Sequence, residues 1–253
     1  MTGQELDIAK FVAAGLSCGL GALGGAIGAG QAAGKAVEGM NRQPAMQGDE
    51  LRIMLIGGSV ATTTGIFALV FAFLAIAADV PNWAAGAAVI GAALAVGLSA
   101  IGAGVGSGLA GASAADAISR QPEHSGRITV NMILSQAMSQ NAGIFGLVIG
   151  LLLLFWDQPE AMKKAGIIGA VNMAEQLPVI GRAIGAGISM GAGAIGPAIG
   201  IGFAGAKACE GIAARGEETG LIQRTMFVGM GVAESTAIYS LVIAIVLIYV
   251  AGG

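Results

Sequence analysis

The chain has 253 residues, of which 55% are hydrophobic and only 11% charged, and its mean hydropathy is +0.81. That is too little polar surface for a soluble domain, so the composition places it among integral membrane proteins. A formal net charge of −3 singles out no partner, and no nucleic acid is expected. Forty-four glycines beside 5% aromatic residues favour helices that approach each other closely over a barrel. Cys18 and Cys209 lie outside any metal-ligand spacing and read as small buried hydrophobes.

The first apolar run, residues 11–33, follows a segment with Glu5 and Asp7 against one Lys10. A basic n-region is missing, so the run reads as a first membrane span and not as a signal peptide. Further runs at 53–78, 84–114, 130–156, 178–209 and 222–250 bring the expected spans to six. Each is long enough to cross a hydrocarbon core at about 1.5 Å per residue. Between the fourth and fifth, Glu160, Lys163, Lys164 and Glu175 bracket a short apolar stretch expected to lie along the membrane surface.

The spans repeat. An offset of 172 places Lys35 on Lys207, Glu38 on Glu210, and Val60–Thr64 on Val232–Thr236. An offset of 78 places Glu38 on Asp116 and Arg42-Gln43-Pro44 on Arg120-Gln121-Pro122. The expected fold is therefore all-α and integral to the membrane: six transmembrane helices in three tandem hairpins. Hairpin 1 covers residues 1–80, hairpin 2 covers 81–158, the surface segment 159–177, and hairpin 3 covers 178–253. In each, a glycine-rich first helix and a short polar loop lead to a bulkier second helix. Glycines 21, 24, 25 and 28, then 102, 104, 106 and 108, then 193, 196, 200 and 202 are expected to let first helices pack on each other in a tight inner circle, with second helices outside facing lipid. Pro197 removes one hydrogen bond from the fifth span and is expected to bend it.

Several glycine patterns imitate enzymes. Gly106–Gly111 and Gly200–Gly205 fit the dinucleotide-binding fingerprint, and Gly15–Gly19 and Gly187–Gly191 fit a nucleophile elbow. All sit inside apolar helices without the strand-turn-helix those chemistries require. The sole histidine, His124, lies in a loop and reads as solvated. No cofactor is expected, and the chain reads as non-catalytic.

The last span holds one acid, Glu234. Between Arg224 and the C-terminus only the tyrosines are otherwise ionisable. An acid at that depth is costly as an anion, so it must be neutralised by a cation or partnered. Thr62 and Gln140 stand at its place in hairpins 1 and 2, so only the third hairpin carries the group.

A glycine-rich helix, an Arg-Gln-Pro loop, and an acid within Ala-Glu-Ser-Thr-Ala-Ile-Tyr together resemble the rotor-ring proteolipid that builds the c-ring of rotary ATP synthases and ATPases. The loop is similar to the bacterial F-type form, and several hairpins in one chain with acids missing are similar to V-type rotor proteolipids. The resemblance implies a membrane ring of identical copies in the bilayer, in which Glu234 loads and releases an ion while turning against the stator, whose membrane component presents an arginine. It also implies that the loops bearing Arg42, Gln43, Pro44, Arg120, Gln121 and Pro122 dock on the central stalk. Ser235, Tyr239 and the Val232 carbonyl match positions that hold or support the ion in sodium-binding members. The remaining ligand there, a glutamine on the first helix, is replaced by Ile201, so the proton is the favoured ion and sodium the alternative. Ring sites form between adjacent hairpins, so Asn141 of hairpin 2 or Thr63 of a neighbouring chain could face Glu234.

Eight of the twelve Lys and Arg residues lie at the hairpin loops or adjoining helix ends, against Lys10, Lys163, Lys164 and Arg182 at the other. The loops are expected on the cytoplasmic side of the inner membrane, with both termini outside. A secondary transporter would show broken helices or inverted repeats, and these repeats share one orientation. A purely structural proteolipid has no need of Glu234.

Overall fold

The structure is a computed structural model describing residues 3–156 and 173–250. Six long helices carry it: α1 (Gly3–Arg42), α2 (Gln47–Ala77), α3 (Trp83–Arg120), α4 (Ser125–Leu154), α5 (Met173–Ala214) and α6 (Thr219–Tyr249). All six are long and apolar enough to cross a membrane. At 40 residues α1 measures about 60 Å, twice a hydrocarbon core, so the helix ends stand clear of the bilayer. Residues 159–172 of the expected surface segment lie outside the described residues. Met173 to Leu177 form the opening turns of α5, which continues through both Pro178 and Pro197.

Each hairpin turns on one backbone shape. Gln43 (φ −133°, ψ 86°) precedes Pro44, which cannot extend α1, and a 3-10 turn over Pro44–Met46 starts α2. Gln121 (φ −140°, ψ 76°) and Pro122–His124 repeat it. The third loop has lost its proline, yet Arg215 (φ −144°, ψ 69°) and Gly216–Glu218 keep the same path. On the far side, Asn82 caps α3 by accepting from the Ala85 N–H at 2.8 Å, which satisfies a donor the helix start leaves free. Arg182 performs the opposite task. Its Nε donates to the Leu247 carbonyl at 2.8 Å and its Nη2 to that of Ile248 at 2.9 Å, while the guanidinium lies 5.2 Å from the Trp156 ring centroid. A cation there complements the negative end of α6.

The helices form two layers, with α1, α3 and α5 side by side and α2, α4 and α6 behind them. The middle helix α3 packs on both α1 and α5, which make no substantial contact with each other. Of α3's apolar window 72% is buried, against 17% for α6. The three hairpins thus stand in a row whose two ends are open.

Glycines set the spacing, and they do so in register. A Cβ on Gly28 would strike the Gly104 carbonyl, and one on Gly106, its repeat counterpart, would strike that of Ala198. A Cβ on Gly24 would come 2.5 Å from the Ile101 Cα, and one on Gly102 would come 2.7 Å from that of Ile195. Hairpin 2 therefore meets hairpin 3 as hairpin 1 meets hairpin 2. Within hairpins the register also repeats, since Ser17 donates to the Ala68 carbonyl at 3.0 Å and Ser189 to that of Ser240 at 3.1 Å. Not every glycine serves the inner row. Gly21 lies against Ala68, Gly25 against Thr62, and Gly193 against Ser240, so these three seat the second helix of their own hairpin. Gly196 has nothing within 4 Å, and Gly200 has only the Ala233 Cβ at 3.5 Å.

Candidate functional site

Glu234 sits midway along α6, half-buried, where α6 passes α4. The Asn141 Nδ2 donates to its Oε1 at 2.7 Å, and the other carboxylate oxygen has no hydrogen-bond partner among the described residues. Ile201 on α5 is buried beside Met226 and Met230, with Ala233 packed on the same cluster. The wall behind the acid is therefore apolar, and a single neutral amide answers the carboxylate.

Of the two candidates for facing Glu234, the structure brings Asn141 to it. The contact is made within one chain, at the seam between hairpins 2 and 3. Thr63, the repeat counterpart of Asn141, belongs by the same register to the seam between hairpins 1 and 2, and its hydroxyl donates to the Ser59 carbonyl at 3.1 Å.

Val232, Ser235 and Tyr239 do not hydrogen-bond Glu234. Successive residues turn by about 100° on a helix, so positions two before and one after the acid point to other faces. The Ser235 hydroxyl donates to the Val232 carbonyl at 2.7 Å, and Val232 is 69% exposed. Tyr239 is 65% exposed. Val232 and Ser235 correspond to Val60 and Thr63, the side that one hairpin offers to the next, and here that face is free.

At the other seam, Gln140 occupies the repeat position of Glu234. Its Nε2 donates to the Val60 carbonyl at 3.0 Å and to the Ser107 hydroxyl at 2.8 Å. Thr62, at the same position in hairpin 1, is exposed and bonds the Ser59 carbonyl on its own helix at 3.0 Å. Among the loop residues, Arg42 reaches across to Asp116 of hairpin 2 at 2.6 Å, and Arg120 pairs with the same Asp116. Gln43 and Gln121 lead into their turns, and Pro44 and Pro122 open them.

Sequence reasoning missed Glu50. It is fully buried near the start of α2, against Gly39, and neither carboxylate oxygen has a hydrogen-bond partner among the described residues. Its repeat counterparts are Ile128 and Ile222, so the position faces inward in every hairpin, and that apolar pattern was the available signal.

The ATP synthase c-subunit family matches three times, at residues 12–75, 90–153 and 184–247, in the 78- and 172-residue steps of the internal repeat. The chain belongs to the ATP synthase c-subunit family. The ATP synthase c-subunit of Microcystis aeruginosa is 56% identical over 71 residues, covering 28% of this chain and 88% of that protein. That of Thermotoga maritima is 44% identical over 79 residues, or 31% of this chain and 93% of that protein. The Petrotoga mobilis protein is 49% identical over 66 residues, 26% and 69% respectively. Each of these relatives thus corresponds to about one hairpin here. This family member is a triplicated rotor-ring proteolipid, whose copies form a ring in the membrane.

Ring closure defines a test of the repeat register. Stepping the seams onward, Gly196 of one copy is expected to meet the backbone at Ala22 and Leu23 of the next, and Gly200 to meet Ala26. Gly196→Leu has room in the separate chain and favours helix by about 0.8 kcal/mol. Folded chains that no longer close are therefore expected, measured by particle imaging in mild detergent. Rings at undiminished yield would show the register to be wrong.

Proposed function

We propose that Glu234 carries one proton per chain through the membrane as the ring turns. The observation that supports this best is the single Asn141 contact beside an apolar wall. An amide serves both states of the acid: its NH2 donates to the carboxylate, and its oxygen can accept from the carboxylic acid. Sodium needs several oxygen ligands, and Ile201 supplies none. A charged carboxyl at mid-membrane costs about 3 kcal/mol, a cost that loading the site with a cation removes. Loaded, the site can therefore travel against lipid; unloaded, it needs a cation, and an arginine presented by the stator fits that need. The loops around Arg42 and Arg120, ordered by shared pairing to Asp116, suit docking on a central stalk. The excess of basic residues near the loops favours a cytoplasmic position for them.

A hydrophobic carbodiimide attacks protonated carboxyls reached from lipid, and mass spectrometry of the treated ring reads where it has reacted. We expect labelling at Glu234, with the exposed loop acids spared and Glu50 sealed beneath Gly39. Labelling should fall as pH rises and be indifferent to sodium; protection by millimolar sodium at fixed pH would replace the proton with sodium.

A further inference from the structure

We infer that the hairpin 3 end of the row docks the start of a second copy, with Val37 of that copy seated in a groove near the loop and its Glu38 paired to Lys207. The groove, of about 460 Å3, lies between α5 and α6 and is lined by Ala208, Gly211, Leu221, Ile222 and Thr225 together with Lys207. Leu221 is 64% exposed there, so an apolar hollow with one cation faces outward.

The repeat says what fills it. In hairpin 2 the counterparts of Ile222 and Thr225 are Ile128 and Asn131, and hairpin 3 lays Cys209 against both. The Asn131 Nδ2 donates to the Cys209 Sγ at 3.4 Å, and that Sγ lies 3.9 Å from the Ile128 carbonyl oxygen. The counterpart of Cys209 is Val37, which is 62% exposed on α1, at the opposite end of the row. The step that carries hairpin 2 onto hairpin 3 therefore carries Val37 of the next copy into the groove. Thr225 suits an apolar visitor better than Asn131 would, because its hydroxyl is already bonded to the Leu221 carbonyl at 3.1 Å and its methyl group remains to be covered.

Charge follows the same step. Each first helix carries an acid one turn before its end: Glu38, Asp116 and Glu210. Arg42, the last residue of α1, bridges its own Glu38 at 3.2 Å and Asp116 of hairpin 2 at 2.6 Å. Arg120, the last residue of α3, lines one cleft with Glu210 of hairpin 3. α5 ends in Ala214, so no arginine reaches from there to Glu38 of the next copy. Lys207 replaces it. Its counterpart Ser113 donates across the seam to the Ala206 carbonyl at 2.7 Å, which directs Lys207 at Gly34 of the next copy, one turn from Glu38. In the separate chain Lys207 holds Glu210 of its own helix at 2.9 Å. In the ring it bridges that acid to Glu38 of the next copy, as Arg42 bridges two hairpins within the chain.

The test uses assembled rings of the full chain carrying Cys18→Ala and Cys209→Ala. Thr225→Cys with Val37→Cys, treated with a short bifunctional methanethiosulfonate, is expected to give a ladder of chain multiples on a non-reducing gel. Hairpins 1 and 3 of one chain make no substantial contact, so the link forms between copies. Thr225→Cys with Phe11→Cys, near the far end of α1, should leave the chain single. Chains that stay single with Val37→Cys in rings verified by imaging would leave the groove to lipid and overturn the dock, and so would a ladder with Phe11→Cys. For the ion pair, Lys207→Gln and Glu38→Gln are each expected to weaken the joint about two- to fivefold in graded detergent at low salt, and the double variant to lose no more than either alone. Losses that add, or that persist undiminished in about 1 M salt, would show that the two residues do not pair.

Discussion

Glu234→Gln is expected to leave the ring assembled and to reduce ion-coupled ATP hydrolysis and synthesis to background. The structure explains why the two effects separate. Asn141 can donate to an amide oxygen as it does to the carboxylate, so the contact at 2.7 Å has a replacement and the fold loses at most about 1 kcal/mol. The surroundings are apolar and half-open, so the added NH2 is not forced against another donor. Gln140 already shows this side chain accommodated at the equivalent point of hairpin 2. What the amide cannot do is exchange a proton at ordinary pH. The variant ring would be permanently neutral, and no step of rotation would be tied to loading. Ring symmetry by imaging and proton uptake by reconstituted vesicles provide the two readings. Coupled transport persisting in an intact Glu234→Gln ring would remove Glu234 from the mechanism.

Much of this was legible in the sequence because the repeat is gapless within each unit. Six spans, three hairpins and the acid's uniqueness follow from offsets of 78 and 172, and the helices cover the six runs to within two residues at the far side while reaching beyond each of them at the loop side. The contents of the site were less legible. Val232 and Ser235 are close to Glu234 along the chain but turned from it on the helix, and a linear motif carries no record of which face meets which neighbour. Asn141 and Thr63 were both open because sequence alone does not say whether a seam lies within a chain or between chains. Once Gly106 meets Ala198 as Gly28 meets Gly104, the direction of stacking is fixed, and Asn141 is the group that faces the acid. Glu50 was overlooked for a related reason: beside Asp49 and Arg52 it reads as loop polarity, whereas its burial follows from Gly39 opposite.

On the proposal that Glu234 is the carrier, an acid at the mid-membrane position of only one hairpin in three sets the gearing of the ring. The ions carried per revolution should equal the number of chains, one third of the number of hairpins. Each transported charge contributes about 2.3 kcal/mol per 100 mV, so a ring with a third as many ions needs about three times the driving force for the same work per turn. On that proposal the ratio is expected to disfavour synthesis and to favour ATP-driven pumping of a few ions against a steep gradient. The argument needs Thr62 and Gln140 to carry nothing. Thr62 has no group that titrates at ordinary pH, and its hydroxyl is tied to Ser59. Gln140 has both amide hydrogens committed to Val60 and Ser107, which leaves no point at that seam for an ion. Ions moved per ATP hydrolysed by the reconstituted complex, taken with ring symmetry from imaging, give the count directly. One ion per chain is expected. A native ratio of one ion per hairpin would mean that the seams without a carboxylate also transport, and the gearing would fail.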